Sequence, residues 1–137
     1  MSDTITRVEY YYIVTPNKPG EAERALSTLK AAGINLLAFS GFPKGQRAQL
    51  DFIPAEPSAF VKAAKKAKWK LSAKKSGFLI QGEDRPGALA DVMGKLADAR
   101  INVTALDAVS AGAGRYGAIL WVKPPDLKRA AKALGVS

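Results

Sequence analysis

The side chains with the strongest case for chemistry lie in two short loops, Thr15-Pro16-Asn17-Lys18-Pro19-Gly20 and Gly82-Glu83-Asp84-Arg85-Pro86-Gly87. Each places a side-chain oxygen (Asn17 or Asp84), then a cation (Lys18 or Arg85), then a Pro-Gly pair before a run with helical periodicity. Pro suits a helix start, because a first-turn residue needs no N–H donor. A residue without Cβ beside it lets another molecule approach the unpaired amides. Such a helix start can receive a carboxylate, while a nearby Asn or Asp oxygen can accept from an ammonium group. Two plainer readings stand beside this one. Pro-Gly is common punctuation, and Asx side chains often hydrogen-bond their own loop.

The loops belong to a duplication. Pro86 stands 67 positions after Pro19, Gly87 67 after Gly20, and Asn102 67 after Asn35. In both copies the Asn follows the Gly by fifteen residues, as Gly33-Ile34-Asn35 and Arg100-Ile101-Asn102. The helical stripe Ala22, Ala25, Leu26, Leu29 maps at the same offset onto Leu89, Val92, Met93, Leu96. A constant offset over independent anchors marks one unit written twice. This predicts two domains, residues 1–75 and 76–137.

Composition removes most alternatives. The 137 residues include no Cys and no His, so thiol nucleophiles, histidine bases and Cys/His metal sites are excluded. No pair of carboxylates recurs at converging positions, and we expect no catalysis, no cofactor and no metal. The net charge of +9 is local, because seven lysines and no acid lie between Lys62 and Lys75. A solvated helix face and connector is the expected role for that stretch. The polar N-terminus precedes no apolar run long enough for a signal or a membrane span, which predicts a soluble, cytoplasmic protein.

Val8, Tyr10, Tyr12 and Val14 form the more apolar face of a first strand. A helix follows, then strands over 34–42 and 47–53 in hairpin, a helix capped by Ser58 with Phe60, Ala63, Ala64 and Ala67 inward, and a fourth strand over 69–73. Strand, helix, strand, strand, helix, strand is the split βαβ of an α+β ferredoxin-like domain, with helices on one face of an antiparallel sheet. The second copy repeats it with strands over 78–81, 101–110 and 116–123, and helices over 88–99 and 127–134 capped at Asp126. Its fourth strand is expected to be short or missing. The two units are expected to join side by side into one sheet, and exposed edges predict a homodimer.

Asn17-Lys18-Pro19-Gly20 with Gly33-Ile34-Asn35, and Asp84-Arg85-Pro86-Gly87 with Arg100-Ile101-Asn102, resemble the signature of the ACT domains, ferredoxin-like units that bind amino acids and regulate metabolic enzymes. The resemblance implies a stand-alone tandem ACT protein that senses a small amino acid at the interface between its units. In serine-regulated phosphoglycerate dehydrogenases, which share the loop, the ligand lies between the loop of one unit and the strand-two Asn of its neighbour. Carried over, this implies a site of Thr15, Asn17, Pro19 and Gly20 with Asn102, and another of Gly82, Asp84, Pro86 and Gly87 with Asn35. Arg100, in place of the usual small residue, departs from the pattern. The Asn17 site is expected to bind more tightly, because Asn both donates and accepts whereas ionised Asp84 only accepts and has Glu83 beside it. A metabolic enzyme is an expected partner. RNA or another polyanion is the weaker reading, because the third strands lack the aromatic pattern of an RNA-recognition module.

Overall fold

A computed structural model describes residues 3–136. The chain forms β1 (Thr4–Pro16), α1 (Glu21–Ala31), β2 (Leu36–Lys44), β3 (Arg47–Pro54), α2 (Pro57–Lys66), β4 (Lys75–Glu83), α3 (Ala88–Asp98), β5 (Ala105–Gly112), β6 (Arg115–Trp121) and α4 (Leu127–Leu134), with a 3-10 turn at Pro124–Asp126. The fold is α+β and ferredoxin-like. Two compact units result: an inserted unit, Glu9–Lys75, and a split unit made of Met1–Val8 with Ser76–Ser137. Residues 3–8, read from sequence as part of the first domain, thus group with the second half of the chain. Among the described residues no helix is long and apolar enough to cross a membrane.

In the inserted unit β3 pairs antiparallel with both β1 and β2, setting Tyr11 opposite Phe52 and Ile13 opposite Leu50. Tyr11, Ile13, Leu50 and Phe52 pack with Ala25, Leu29 and Phe60. The first strand therefore turns its odd-numbered residues to this core. Val14, on the more apolar face by sequence, is exposed, and Tyr10 and Tyr12 are half-buried. Aromatic rings decide the orientation. Phe52 lies 5.4 Å from Phe39, 5.4 Å from Phe60 and 5.5 Å from Trp69, and Tyr11 stacks on Phe60 at 5.6 Å. Such pairs add attraction beyond the area they bury.

Several local expectations are corrected. On α1 only Ala25 and Leu29 are buried, while Leu26 is 37% exposed. On α2 Phe60 and Ala64 are buried, Ala63 and Ala67 half-buried. That helix begins at Pro57 with Glu56 as its cap residue, so Ser58 lies inside the helix. Residues 69–73 form no strand. Ser72 N–H donates to the Tyr12 carbonyl at 2.9 Å, but the Tyr12 N–H donates to Ser72 Oγ at 2.9 Å, so a side chain takes the place of a backbone acceptor and the ladder stops. The seven lysines from 62 to 75 are all exposed.

The split unit pairs β6 antiparallel with both β4 and β5. Phe78 and Ile80 of β4 meet Val92 and Leu96 of α3, Leu120 of β6, and Ala130 and Leu134 of α4 in its core. The other side of β4 is occupied by β1, whose Thr4–Val8 portion belongs to this unit and whose Ile5 packs on the same core. Residues 4–8 thus stand beside β4, where a fourth strand of this unit would pair. Strand β5 begins at Ala105, and residues 101–103 form no strand.

Two outcomes follow for stability. Ile5→Ala, more than seventy positions from the core it serves, should destabilise the split unit by about 1–2 kcal/mol, less than a fully buried Ile would cost, as measured by urea denaturation. Asp51 is 6% exposed, and burial raises its carboxyl above the ordinary carboxylate range against the pull of Gln49, Lys75 and Lys44. Its ionised form is disfavoured in the fold, so its contribution to stability falls as pH rises through the ordinary value near 4 toward the raised one. The melting temperature of Asp51→Asn relative to the parent should therefore increase with pH from about 4 upward; a difference independent of pH would contradict this.

Candidate functional site

Each helix-opening loop ends in a left-handed glycine. Gly20 at φ 93° caps α1, Gly87 at φ 72° caps α3, and no side chain caps either helix. Pro19 and Pro86 stand in the turn outside the helix rather than in its first turn, because the chain must reverse through the glycine before helical geometry begins. The result in both units is a loop folded over the start of a helix whose first amides have no side-chain partner.

Above each loop is a cleft. In the split unit it encloses about 330 Å³ and is lined by Asp84, Arg85, Gly87, Ala88, Leu89 and Ala90 from the loop and α3, by Ala108, Val109 and Ser110 of β5, and by Tyr116 of β6. In the inserted unit it encloses about 420 Å³ between Thr15, Pro16, Asn17, Lys18, Glu21 and Ala22 on one side and Phe39, Gly41, Phe42, Pro43, Ala48 and Leu50 on the other. Seven positions correspond at the repeat offset: Asn17 with Asp84, Lys18 with Arg85, Glu21 with Ala88, Ala22 with Leu89, Gly41 with Ala108, Phe42 with Val109, and Pro43 with Ser110. The duplication has preserved a concave surface together with the fold.

Of the residues singled out by sequence, Thr15 and Asn17 line one cleft, and Asp84 and Gly87 the other. Thr15 is buried and its hydroxyl donates to the Pro16 carbonyl at 3.1 Å, which holds the strand end. Pro19, Gly20 and Pro86 shape the turns without lining the clefts. Asn35 and Asn102 are exposed and precede β2 and β5, whereas the clefts touch the far ends of those strands. Within its own unit neither Asn meets the loop. The Asn35 carbonyl instead accepts from the Ala55 N–H at 3.0 Å.

The charges of the split-unit cleft are arranged by residues that spacing alone does not reveal. The Ser110 hydroxyl donates to Asp84 Oδ2 at 3.0 Å, and the Asp84 N–H donates to the Gly114 carbonyl at 2.9 Å. Arg85 turns to Asp3, its Nη1 donating to Oδ1 at 3.1 Å and its Nη2 to Oδ2 at 3.3 Å, while Nη1 also reaches the Glu83 carbonyl at 2.9 Å. The Asp3 side chain is only 9% exposed and sits over Gly82, where any Cβ would collide with its carboxylate and come within 3.1 Å of Tyr116 Cε1. Gly82 is therefore required for close approach. The Arg85 guanidinium holds the Asp3 carboxyl below its usual range, and burial followed by the Asp3 charge pushes the Tyr116 phenol up. In the inserted unit the equivalent cation, Lys18, is 60% exposed and reaches Glu21 only at 3.8 Å.

Ser110 was recoverable in principle, since a hairpin strand antiparallel to β6 must return toward the loop. Asp3 carried no signal in the sequence, because it meets Arg85 across 82 positions. Its depressed titration fixes a sign. The stabilisation from the Asp3 contact is complete above the ordinary carboxylate value near 4 and is lost as pH falls through the depressed one. Asp3→Asn should therefore melt below the parent at pH 7, and the gap should close on acidification below about pH 4; a gap that persists there would contradict the contact.

No curated protein matches the chain in sequence. Among solved structures it is similar to a protein from Bacteroides thetaiotaomicron at 19% identity, over 96% of this chain and 88% of that one, with a TM-score of 0.81. It is similar to the ligand-free regulatory subunit of aspartate kinase from Thermus thermophilus at 17% identity, over 98% and 96%, with a TM-score of 0.63. The corresponding subunit from Thermus flavus gives 15% identity, 98% and 94% coverage and a TM-score of 0.56. At these identities the likeness is one of fold. The family model of the ACT domain matches residues 78–135, the segment that holds the Asp84 loop, α3, β5 and β6.

Proposed function

We propose that this chain is a tandem ACT protein that binds a small amino acid and regulates a metabolic enzyme in the cytoplasm, without catalysis of its own. The observation that carries the reading is the pair of clefts lined at corresponding positions 67 residues apart. Both copies keep a polar loop residue and a cation at the mouth of the cleft, as Asn17-Lys18 and Asp84-Arg85, although the wall residues differ in type. The ACT match and the fold shared with aspartate kinase regulatory subunits support a regulatory role.

Each cleft suits a zwitterion. The dipoles at the starts of α1 and α3 offer partial positive charge to a carboxylate, Asn17 or Asp84 offers an oxygen to an ammonium group, and the strand residues offer a small apolar wall. The Asn17 cleft is proposed as the tighter one, since Lys18 is only loosely paired and its positive charge remains near the loop. Strands β2 and β5 each pair on one side only and carry exposed Leu37, Phe42 and Val109, the last 68% exposed, which supports association of two copies along an edge.

Calorimetric titration with a panel of common amino acids tests the reading. Heat is expected from one or a few small neutral ones. Asn17→Ala should weaken the tighter event about tenfold, the loss of roughly one hydrogen bond to a charged group. No heat from any amino acid would defeat the proposal, and a loss confined to Asp84→Ala would reverse the order of the sites.

A further inference from the structure

The two clefts differ in one respect that the repeat does not explain: what has become of the loop cation. Lys18 extends into solvent. Arg85 is engaged by both Asp3 oxygens in the paired geometry that a guanidinium offers a carboxylate, and its Nη1 also donates to the Glu83 carbonyl. Asp3 lies at the start of the strand that completes the split unit, where Gly82 makes room for it and Tyr116, a wall of the cleft, stands beside it. Arg85 borders the cleft, but its fork already holds a carboxylate belonging to the chain. Asp84, by contrast, is exposed, accepts only from the neutral Ser110 hydroxyl among the side-chain bonds of the described residues, and belongs to none of the salt bridges among them.

The geometry points to Asp3 as a specificity-determining residue of the split-unit cleft: by occupying Arg85 it leaves Asp84 as the charge presented to a ligand, so that the cleft takes the ammonium end of a neutral amino acid and rejects acidic ones. This rests on the amino-acid reading above and names the ligand class of that site. A neutral amino acid needs one anionic acceptor for its ammonium group and positive potential for its single carboxylate; Asp84 offers the first and the dipole at the start of α3 the second, where the Ala88 and Ala90 amides already donate to the Arg85 and Gly87 carbonyls. Aspartate or glutamate brings a second carboxylate, which would lie near Asp84 with no uncommitted cation to meet it. An unpaired like charge of this kind is a common basis of discrimination.

The test is titration of the parent, Asp3→Asn and Asp3→Asn/Arg85→Gln with alanine, serine, aspartate and glutamate, each repeated with Asp84→Ala to assign heat to this cleft. Asp3→Asn frees the Arg85 charge, and affinity for aspartate or glutamate should rise at least tenfold while that for alanine and serine stays within about twofold. The added Arg85→Gln change should abolish the gain. Arg85→Gln alone, which leaves Asp3 in place, guards against a loosened N-terminal strand: it should keep the parent's preference, and a tenfold loss of neutral-ligand binding would show that Arg85 serves the ligand directly and overturn the proposal. An unchanged preference in Asp3→Asn would also overturn it while leaving the sensor reading intact. Acidic ligands bound only by Asp3→Asn, with nothing bound by the parent, would support the role of Asp3 and defeat the sensor reading. Silence from all proteins would defeat both.

Discussion

Strand β4 must be paired along both sides. Its Phe78 and Ile80 are fully buried, and backbone amides at such a position cannot be left without partners at acceptable cost. Strand β6 covers one side, and among the described residues no strand follows α4 to cover the other. Residues 4–8 meet that demand. Most of what distinguishes the split unit follows: Ile5 enters its core, Asp3 arrives over Gly82, and Arg85 at the border of the cleft pairs with a carboxylate 82 positions earlier.

The repeat has therefore produced two units of one architecture and different interiors. The inserted unit is held by an aromatic cluster around Phe52, with Trp69 reaching it from an irregular segment that a strand would otherwise occupy. The split unit packs Phe78 and Ile80 of β4 against mostly aliphatic residues of α3, β6 and α4. These solutions place the same loop, helix start and second-strand residues around a cleft. The core has been free to change because many apolar combinations fill a given volume, whereas the loop must keep a glycine able to adopt positive φ and a short polar side chain before it.

What was legible in the sequence was whatever is encoded locally or by repetition. The order of elements, the left-handed glycines and the equivalence of Asn17 with Asp84 come from short patterns repeated at a fixed interval. The inward face of β1 was not legible, because apolar content marked Val8, Tyr10, Tyr12 and Val14 while ring packing against Phe52 and Phe60 selected Tyr11 and Ile13. Nor was the loss of the strand at 69–73, which turns on one Ser72 hydroxyl accepting from Tyr12. Asp3 was invisible for a different reason. Its partner is fixed by which strand pairs with β4, and nothing near residue 3 reports a pairing with residues beyond 75.

The division of the chain also sets an order of assembly. Every residue of the inserted unit lies in one continuous stretch, Glu9–Lys75, so during synthesis that unit has all its parts once the ribosome has passed its last residue and cleared its exit path. The split unit has residues 4–8 made before the inserted unit and its other elements made after it. Residues 4–8 must wait, unpaired, through the synthesis of about seventy residues, and closure then carries the entropic cost of joining segments that flank the inserted unit. The polar character of Ser2, Asp3, Thr4, Thr6 and Arg7 suits a segment that spends that time in water.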